Sequence, residues 1–375
     1  MKIIIIGNGI AANSAATVIR EHDRESNITM LSDENQFFYA RPRLTEFISG
    51  KTAFEKILIH DEAWYKKNNI ELLKGLSVSS IDTEHQVLYG SFGSLSYDEL
   101  LIASGASPSF PPFYRPQLEK VYALRTKEQA DHIIATAQHS KSAAIIGGGL
   151  LGIDTAFALV ERGMDTTIIE FYGWLLPKQL DQDSAAILRD LLSQKRLKFL
   201  FGKQTASISN EKNGLTLAFA DGTSILADMA IISAGVRSNI AFLKGTKVAT
   251  GRGITIDHQM RTNVPHIYAA GDCSEFEGKM YGVWSAAKEQ GEIAGLAMIG
   301  QDVDYQGSVI GARIKAAGID VASIGDFSMT PSTTVEVFHE KDIFKKYFRE
   351  GNKLKGAILI GDTSDYFKLQ KEIAG

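Results

Sequence analysis

The sequence predicts an α/β protein: two doubly wound parallel-sheet units, the first discontinuous, followed by a small α+β module. Three observations predict it. Gly7-Asn8-Gly9-Ile10-Ala11-Ala12 directly follows the apolar run Ile3 to Ile6, and Gly147-Gly148-Gly149-Leu150-Leu151-Gly152 directly follows Ala143 to Ile146. From Gln306 onward the pattern changes to alternating strand-like segments and a terminal helix. In each glycine motif the first glycine permits a tight turn and the second lets the backbone approach a pyrophosphate. The third position, Ala12 or Gly152, lets helix pack on strand. A pyrophosphate there meets the free N–H groups and positive dipole end of the helix. Both units are therefore expected to be Rossmann-like, each holding a dinucleotide, with a hydride passing between the two ligands.

Taken in order, residues 1 to about 110 read as β–α–β followed by strands and turns. Ile28-Thr29-Met30-Leu31 is the second strand and feeds Ser32-Asp33-Glu34. Gly90 to Leu101 alternates turn residues with strand formers and runs into Ile102-Ala103-Ser104-Gly105-Ala106. Pro108 to Pro116 holds four of the eight prolines, which suits an extended crossover and a domain boundary. The second unit has strand Ala143–Ile146, helix Leu151–Glu161, Gly163 past its end and strand Thr166–Glu170. Asp228 to Gly235 reads as a buried strand running into a glycine turn. The chain then returns to the first domain: Pro265 to Asp272 is a short strand, and a helix from about Ser285 to Ile299 stops at Gly300. Val335–His339, Phe344–Arg349 and Ala357–Gly361 are strand candidates in the last module. The expected domains are 1–112 with 238–305, then 113–237, then 306–375. The duplicated glycine unit is the only internal repeat, and no segment is of low complexity.

A chain of 375 residues, 44% hydrophobic and 22% charged with net charge −4, is ordinary for a soluble globular protein. No basic excess exists to neutralise phosphates, which argues against nucleic acid as the main partner. The single cysteine, Cys273, cannot form an internal disulfide. Lys2 before four isoleucines is cut short by Gly7 and is read as a strand, not a leader. No apolar stretch reaches the length of a membrane span. A cytoplasmic monomer or homodimer, without membrane or metal, is the expectation; the eight histidines form no ligand spacing.

Asp33 and Glu34 lie 21 and 22 positions after Ala12, where a carboxylate should meet a ribose hydroxyl, and both are plausible. Glu170, 18 positions after Gly152, plays the same part in the second unit. A carboxylate there would repel a 2′-phosphate, and Phe171 to Pro177 contains no arginine or lysine, so NADH is favoured over NADPH.

With these motifs the chain resembles the FAD-dependent pyridine-nucleotide reductases over its whole length. Within them it is similar to the ferredoxin and rubredoxin reductases and to the flavoprotein part of NADH-dependent nitrite reductase. The resemblance is carried by Gly7-x-Gly9-x-x-Ala12, Ala103 to Ala106, Gly147 to Gly152, Ser233-Ala234-Gly235-Val236-Arg237 and Ile267 to Asp272. It implies FAD on the first motif and NAD(H) on the second. The implied FAD set is Gly7, Gly9, Ala11, Ala12, Asp33, Glu34, Arg41, Pro42, Val78, Ala103, Ser104, Gly105, Gly271, Asp272 and Trp284. The implied NAD(H) set is Gly147, Gly149, Leu150, Leu151, Gly152, Glu170 and Gly235.

Tyr39 to Glu46 resembles the group's Arg-Pro-Pro-Leu-Ser-Lys, whose lysine sits by the flavin and pairs with a glutamate after the second motif. Here those positions are Glu46 and Asp154. Two unpaired carboxylates would be costly in a semi-buried site. Arg43 or Arg41 is therefore expected to supply the cation and pair with Asp154; Arg43 and Asp154 are the candidate catalytic residues. Trp284-Ser285-Ala286-Ala287-Lys288-Glu289-Gln290-Gly291 resembles the group's Trp-x-x-Ala-x-x-Gln-Gly. The resemblance implies a tryptophan bordering the flavin and a helix N-terminus aimed at its pyrimidine ring. The competing reading is a core aromatic.

No Cys-x-x-Cys or Cys-x4-Cys exists, which excludes relay through a disulfide, and the loop at 40–46 lacks the cysteine of peroxidase relatives. Cys273 reads as a packing residue. The expected reaction is hydride transfer from NADH to flavin and single-electron delivery to a small acidic carrier, rubredoxin or ferredoxin. Lys341, Lys345, Lys346, Arg349, Lys353 and Lys355 could form a basic face that steers it, or could be solvated strand charges. The alternatives are an NADH oxidase or diaphorase, a nitrite-reductase-like component, and a slow flavoprotein with a binding or signalling role. Nitrite reductase would need further domains after Gly375.

Overall fold

The computed structural model describes residues 1–212, 214–308, 311–316 and 318–374. The chain forms two compact units, one from residues 1–41, 54–107 and 236–308 and the other from 42–53, 108–235 and 309–375. Each contains a five-stranded parallel sheet, so the α/β class with two Rossmann-like sheets holds.

In the first unit the strand order is Ile267–Ala269, Glu99–Ile102, Lys2–Ile6, Asn27–Ser32 and Ile70–Lys74. The centre is fixed by the isoleucine run: Ile5 pairs with Met30 on one side and Leu101 on the other, and all three are fully buried. Continuous apolar strands of this kind belong to parallel sheets covered on both faces. Helices Ile10–His22 and Trp284–Met298 pack against each other, and two glycines set how closely. A β-carbon at Gly291 would lie 2.2 Å from the Ala11 carbonyl, and one at Gly295 would lie 2.7 Å from that of Ala15. A three-stranded antiparallel sheet, Val78–Asp82, Val87–Gly90 and Gly93–Ser96, completes the turn-rich stretch.

In the second unit the order is Lys198–Phe201, Asp165–Glu170, Ser142–Ile146, Met229–Ile232 and Val121–Tyr122. Ile145 is buried between Ile168 and Ile231. The helix runs from Leu150 to Glu161, one residue earlier than expected, and Gly163 ends it at φ +87°. An antiparallel sheet of Thr205–Glu211, Gly214–Phe219 and Ser224–Ala227 was not anticipated from the sequence. The C-terminal sheet is ordered Gly311–Ala316, Ile319–Gly325, Lys353–Ile360, Ile343–Glu350 and Thr333–Glu340, backed by helix Tyr366–Ala374. Its strand Lys353–Ile360 starts four residues before the expected Ala357, because Lys353 and Lys355 project polar heads from a strand whose alternate residues, Leu354 and Gly356, are buried. Among the described residues no helix is long and apolar enough to cross a membrane, and no cluster could hold a metal ion.

Candidate functional site

Every strand that matters ends on the same side of its sheet, and the motif residues sit at those ends. In the first unit Lys2–Ile6 runs into Gly7, Asn27–Ser32 into Asp33 and Glu34, Glu99–Ile102 into Ala103, and Ile267–Ala269 into Ala270 and Gly271. In the second, Ser142–Ile146 runs into Gly147, Asp165–Glu170 ends on its acid, and Met229–Ile232 runs into Ser233. Ligands of open α/β sheets bind at the carboxyl ends of the strands.

The two glycine loops are built alike. Gly7 N–H donates to Leu31 O (2.7 Å) and Ala103 N–H to Ile6 O (2.8 Å); Gly147 N–H donates to Ile169 O (2.8 Å) and Ser233 N–H to Ile146 O (2.8 Å). Gly7 and Gly147 turn at φ +120° and +118°, and a side chain on either would lie 2.2 Å from the carbonyl of Ala103 or Ser233. Only glycine fits there. Gly9 and Gly149 begin the helices, and an added β-carbon at either would meet nothing within 4 Å. Neither helix has a side-chain cap or an acid in its first turn. The leading amides are left for an anion, and the residues present fit a pyrophosphate.

The loops differ in their supports. In the first, Asn13 is buried on the helix and its Nδ2 donates to Gly9 O (3.0 Å), Asn8 O (3.2 Å) and Asn8 Oδ1 (2.9 Å). The Tyr65 hydroxyl points at Asn8 Oδ1 (2.8 Å) and Asn13 Oδ1 (2.9 Å). Sequence reasoning missed Asn8, Asn13 and Tyr65; the available signal was an asparagine on the buried face of an otherwise Ala-rich helix. In the second, Glu170 does this work. Its Oε2 accepts from Gly148 N–H (2.6 Å) and its Oε1 from Tyr172 N–H (2.8 Å), with the side chain buried. Leu150 and Leu151 open that helix, Leu151 exposed, and a β-carbon at Gly152 would lie 2.0 Å from Gly147 O.

Of the two candidate acids after strand Asn27–Ser32, Asp33 is exposed while Glu34 is engaged: Tyr39 Oη donates to its Oε2 (2.6 Å) and Arg41 pairs with its Oε1. Burial opposes the charge on Arg41, but Tyr39 and Glu34 outweigh it and raise its pKa. Ser104 Oγ donates to Asn239 O (2.7 Å), and Asn239 Nδ2 returns a bond to Ser104 O (3.0 Å). Gly105 turns at φ +68°. Gly271, at φ +83°, donates its N–H to Gln290 Oε1 (2.8 Å), and the Asp272 carbonyl accepts from Ser238 Oγ (3.1 Å). Val78 is half-buried at the start of its strand. Trp284 is the first residue of its helix, half-buried, with its ring stacked at 6.0 Å and 8° on Phe38. Gly235, at φ +90°, accepts from Ser109 N–H (2.9 Å). Cys273 is fully buried, its thiol held by Ile102 O and Ala270 O and its pKa raised by burial, as a packing residue should be.

One expectation is corrected, and one open alternative is narrowed. Arg43, which follows Pro42 in a short 3-10 turn, makes a bidentate pair with Glu46 (Nε to both oxygens at 3.1 Å, Nη2 to Oε2 at 2.8 Å) and does not compensate Asp154. Arg41 is taken by Glu34. Asp154 instead answers burial by holding its proton: its pKa is pushed up to about 7 by desolvation alone. The helical spacing of Arg43 and Glu46 makes their pairing the local solution. The basic face also dissolves. Lys345 is held by Asp362 (2.7 Å) and Asp365 (2.8 Å), Lys346 by Asp181, Arg349 by Glu336 (3.4 Å) and Glu372 (3.5 Å), and Lys355 by Asp326 (3.3 Å). Only Lys341 and Lys353 of the six keep an outward charge without such a pair among the described residues.

Residues 1–291 match the pattern of the pyridine nucleotide-disulphide oxidoreductases, and residues 312–374 match the rubredoxin NAD+ reductase C-terminal domain. The chain belongs to the pyridine nucleotide-disulphide oxidoreductase family. This oxidoreductase is 33% identical to the NADH-rubredoxin oxidoreductase of Clostridium acetobutylicum, over 99% of this chain and 94% of that protein. The crystal structure of NADH:rubredoxin oxidoreductase from Clostridium acetobutylicum superposes with a TM-score of 0.84 at 32% identity, covering 100% of this chain and 94% of that one. It is also 34% identical to the nitrite reductase [NAD(P)H] of Bacillus subtilis, over 99% of this chain and 47% of that protein. The chain spans about half the length of the nitrite and nitrate reductase relatives it matches first, 47% and 48%. It is an FAD- and NAD(H)-dependent member of the family, and its single cysteine leaves it without a disulfide pair.

Proposed function

We propose that this oxidoreductase carries electrons from NADH through FAD to a small one-electron carrier, rubredoxin or a ferredoxin. The observation that carries the reading is the pair of equivalent, uncapped glycine cradles on one chain, coupled to a C-terminal segment of the rubredoxin-reductase type. Flavin supplies the conversion of a two-electron hydride into single electrons. The protein's residues bind and orient. In this reading Gly7, Gly9, Ala11 and Ala12 receive the FAD pyrophosphate, with Glu34, Arg41, Ala103 to Gly105, Gly271, Asp272 and Trp284 around it and Asp33, Pro42 and Val78 at the margins. Gly147 to Gly152 receive the NADH pyrophosphate, and Glu170 faces the adenosine ribose. The domains are then 1–112 with 238–305, 113–237 and 306–375. Asp154 is a protonated acid next to the second cradle, and Arg43 a charge on the 41–43 turn.

The test is anaerobic stopped-flow reduction by NADH, then mixing with rubredoxin, ferredoxin or oxygen in parallel. Rapid reoxidation by a carrier protein and slow reoxidation by oxygen is expected. Fast reoxidation by oxygen alone would replace this reading with an NADH oxidase. A second reading, electron entry to a nitrite reductase centre, is favoured by the 34% identity to the Bacillus subtilis enzyme and is met by the same assay with that acceptor.

A further inference from the structure

Residues 171–180 leave strand Asp165–Glu170 and fold back onto the second glycine loop. Leu175 and Leu176 are fully buried, the latter at φ +51°, a conformation a leucine adopts only when its surroundings hold it there. Leu176 N–H donates to Gly148 O (3.1 Å), and a β-carbon on Gly148 would lie 2.9 Å from Leu175 Cδ2. Gln179 and Leu180 both return their N–H groups to Leu176 O at 2.8 Å, and Trp174 Nε1 donates to Leu180 O (3.2 Å). The far end of this segment is Asp181, the N-cap of helix Gln182–Gln194, whose Oδ1 accepts from Ser184 N–H (3.0 Å).

The other oxygen of Asp181 is held from the C-terminal sheet. Lys346, on strand Ile343–Glu350, bonds Oδ2 and stands 3.4 Å from Asp183. Its side chain is only 10% exposed. A surface steering charge would not be placed so. Burial raises the Asp181 carboxyl, but the bonds from Lys346 and Ser184 outweigh it and hold its pKa below the usual value. Lys346 thus anchors Asp181, which is joined through the Leu180–Asp181 peptide to the 176–180 turn, and that turn bonds the carbonyl of Gly148.

We propose that Lys346 is a positioning residue for dinucleotide binding: by fixing Asp181 it holds the 171–180 segment against the glycine loop and keeps that loop in its binding shape. The inference rests on reading the second cradle as the NADH site. It gives the C-terminal module a part in nucleotide affinity that is separate from any contact with a carrier.

The experiment measures ADP-ribose binding to the FAD-loaded full chain by calorimetry, with amide hydrogen exchange across residues 171–181. Lys346→Met is expected to weaken ADP-ribose roughly 3- to 30-fold, the range for changes that reach a site through connected packing. Exchange in the segment should accelerate, KM for NADH should rise with kcat at saturation unchanged, and Lys346→Arg should restore most of the loss. Asp181→Asn keeps a helix cap while removing the ion pair, so it reproduces the effect without a buried apolar replacement. Its double variant with Lys346→Met should be no worse than either single one. Unchanged ADP-ribose affinity in both single variants overturns the proposal. Wild-type protein that fails to bind ADP-ribose overturns the NADH reading of the cradle instead.

Discussion

Asp154 is where residue-level electrostatics and sequence expectation part. The sequence shows two acids where the resemblance implies a lysine and a glutamate, and an arginine was the natural remedy. The structure spends Arg43 on Glu46 and leaves Asp154 to neutralise itself. In the folded chain it holds a proton up to about pH 7, whereas an unfolded aspartate releases it near pH 4. The folded state therefore binds the extra proton, and stability falls as pH rises across that window. Asp154→Asn is expected to stabilise the protein at pH 8 by about 2–4 kcal/mol. The gain should fade below pH 5, as read by urea denaturation at both pH values; an equal gain at both would show that Asp154 is not the titrating group. Glu170 presents the opposite case. Its place at the end of strand Asp165–Glu170 was legible from spacing, but its bonds to the Gly148 and Tyr172 amides were not. Glu170→Ala frees both amides and, if the second cradle holds the nicotinamide cofactor as proposed, removes the charge that would repel a 2′-phosphate. The ratio of KM for NADPH to that for NADH should drop about tenfold or more, the worth of charge-assisted bonds.

At the scale of elements, the glycine turns and the strands before them were readable because apolar runs ending at a Gly-x-Gly have few alternatives. Supports that come from far along the chain were not. Tyr65 reaches Asn8 and Asn13 from a short helix with no motif, and Gln290 reaches Gly271 across 19 positions. The antiparallel sheet at 205–227 did carry a hairpin signal, Asp221-Gly222 between two alternating runs, and Gly222 turns there at φ +81°. The packing of helices Ile10–His22 and Trp284–Met298 makes a direct claim. Gly291→Ala drives a methyl into the Ala11 carbonyl at 2.2 Å and should cost roughly 1–3 kcal/mol. A lowered urea midpoint at unchanged m-value would register it; an unchanged midpoint would mean the helices can part without loss.

For the whole molecule, residue order alone leaves the C-terminal lysines open between a steering face and solvated strand charges, for a general reason. Sequence counts charges, whereas a fold pairs them, and the carboxylates that engage Lys345, Lys346 and Lys355 lie 17 to 165 positions away. The lysines left over, Lys341 and Lys353, are too few to form a steering field. Reversing both to glutamate should change the rate of carrier reduction by less than about twofold, far short of the 10- to 1000-fold of electrostatically steered pairs. A tenfold fall would restore the basic face as a docking determinant.

The third position of the duplicated motif is alanine in one copy and glycine in the other, and the crowding at Gly152 means the copies are not interchangeable. At that position alone Ala12→Gly trades a methyl for a hydrogen, but importing all of Gly147–Gly152 into the first site also sets a leucine at Ala11, which is buried and packed close to Gly271 and Gly291. Importing Gly7–Ala12 into the second wedges a carbon into a carbonyl. Exchange of the two motifs between the halves therefore meets a steric obstacle in either direction, at Gly152 in one and at Ala11 in the other.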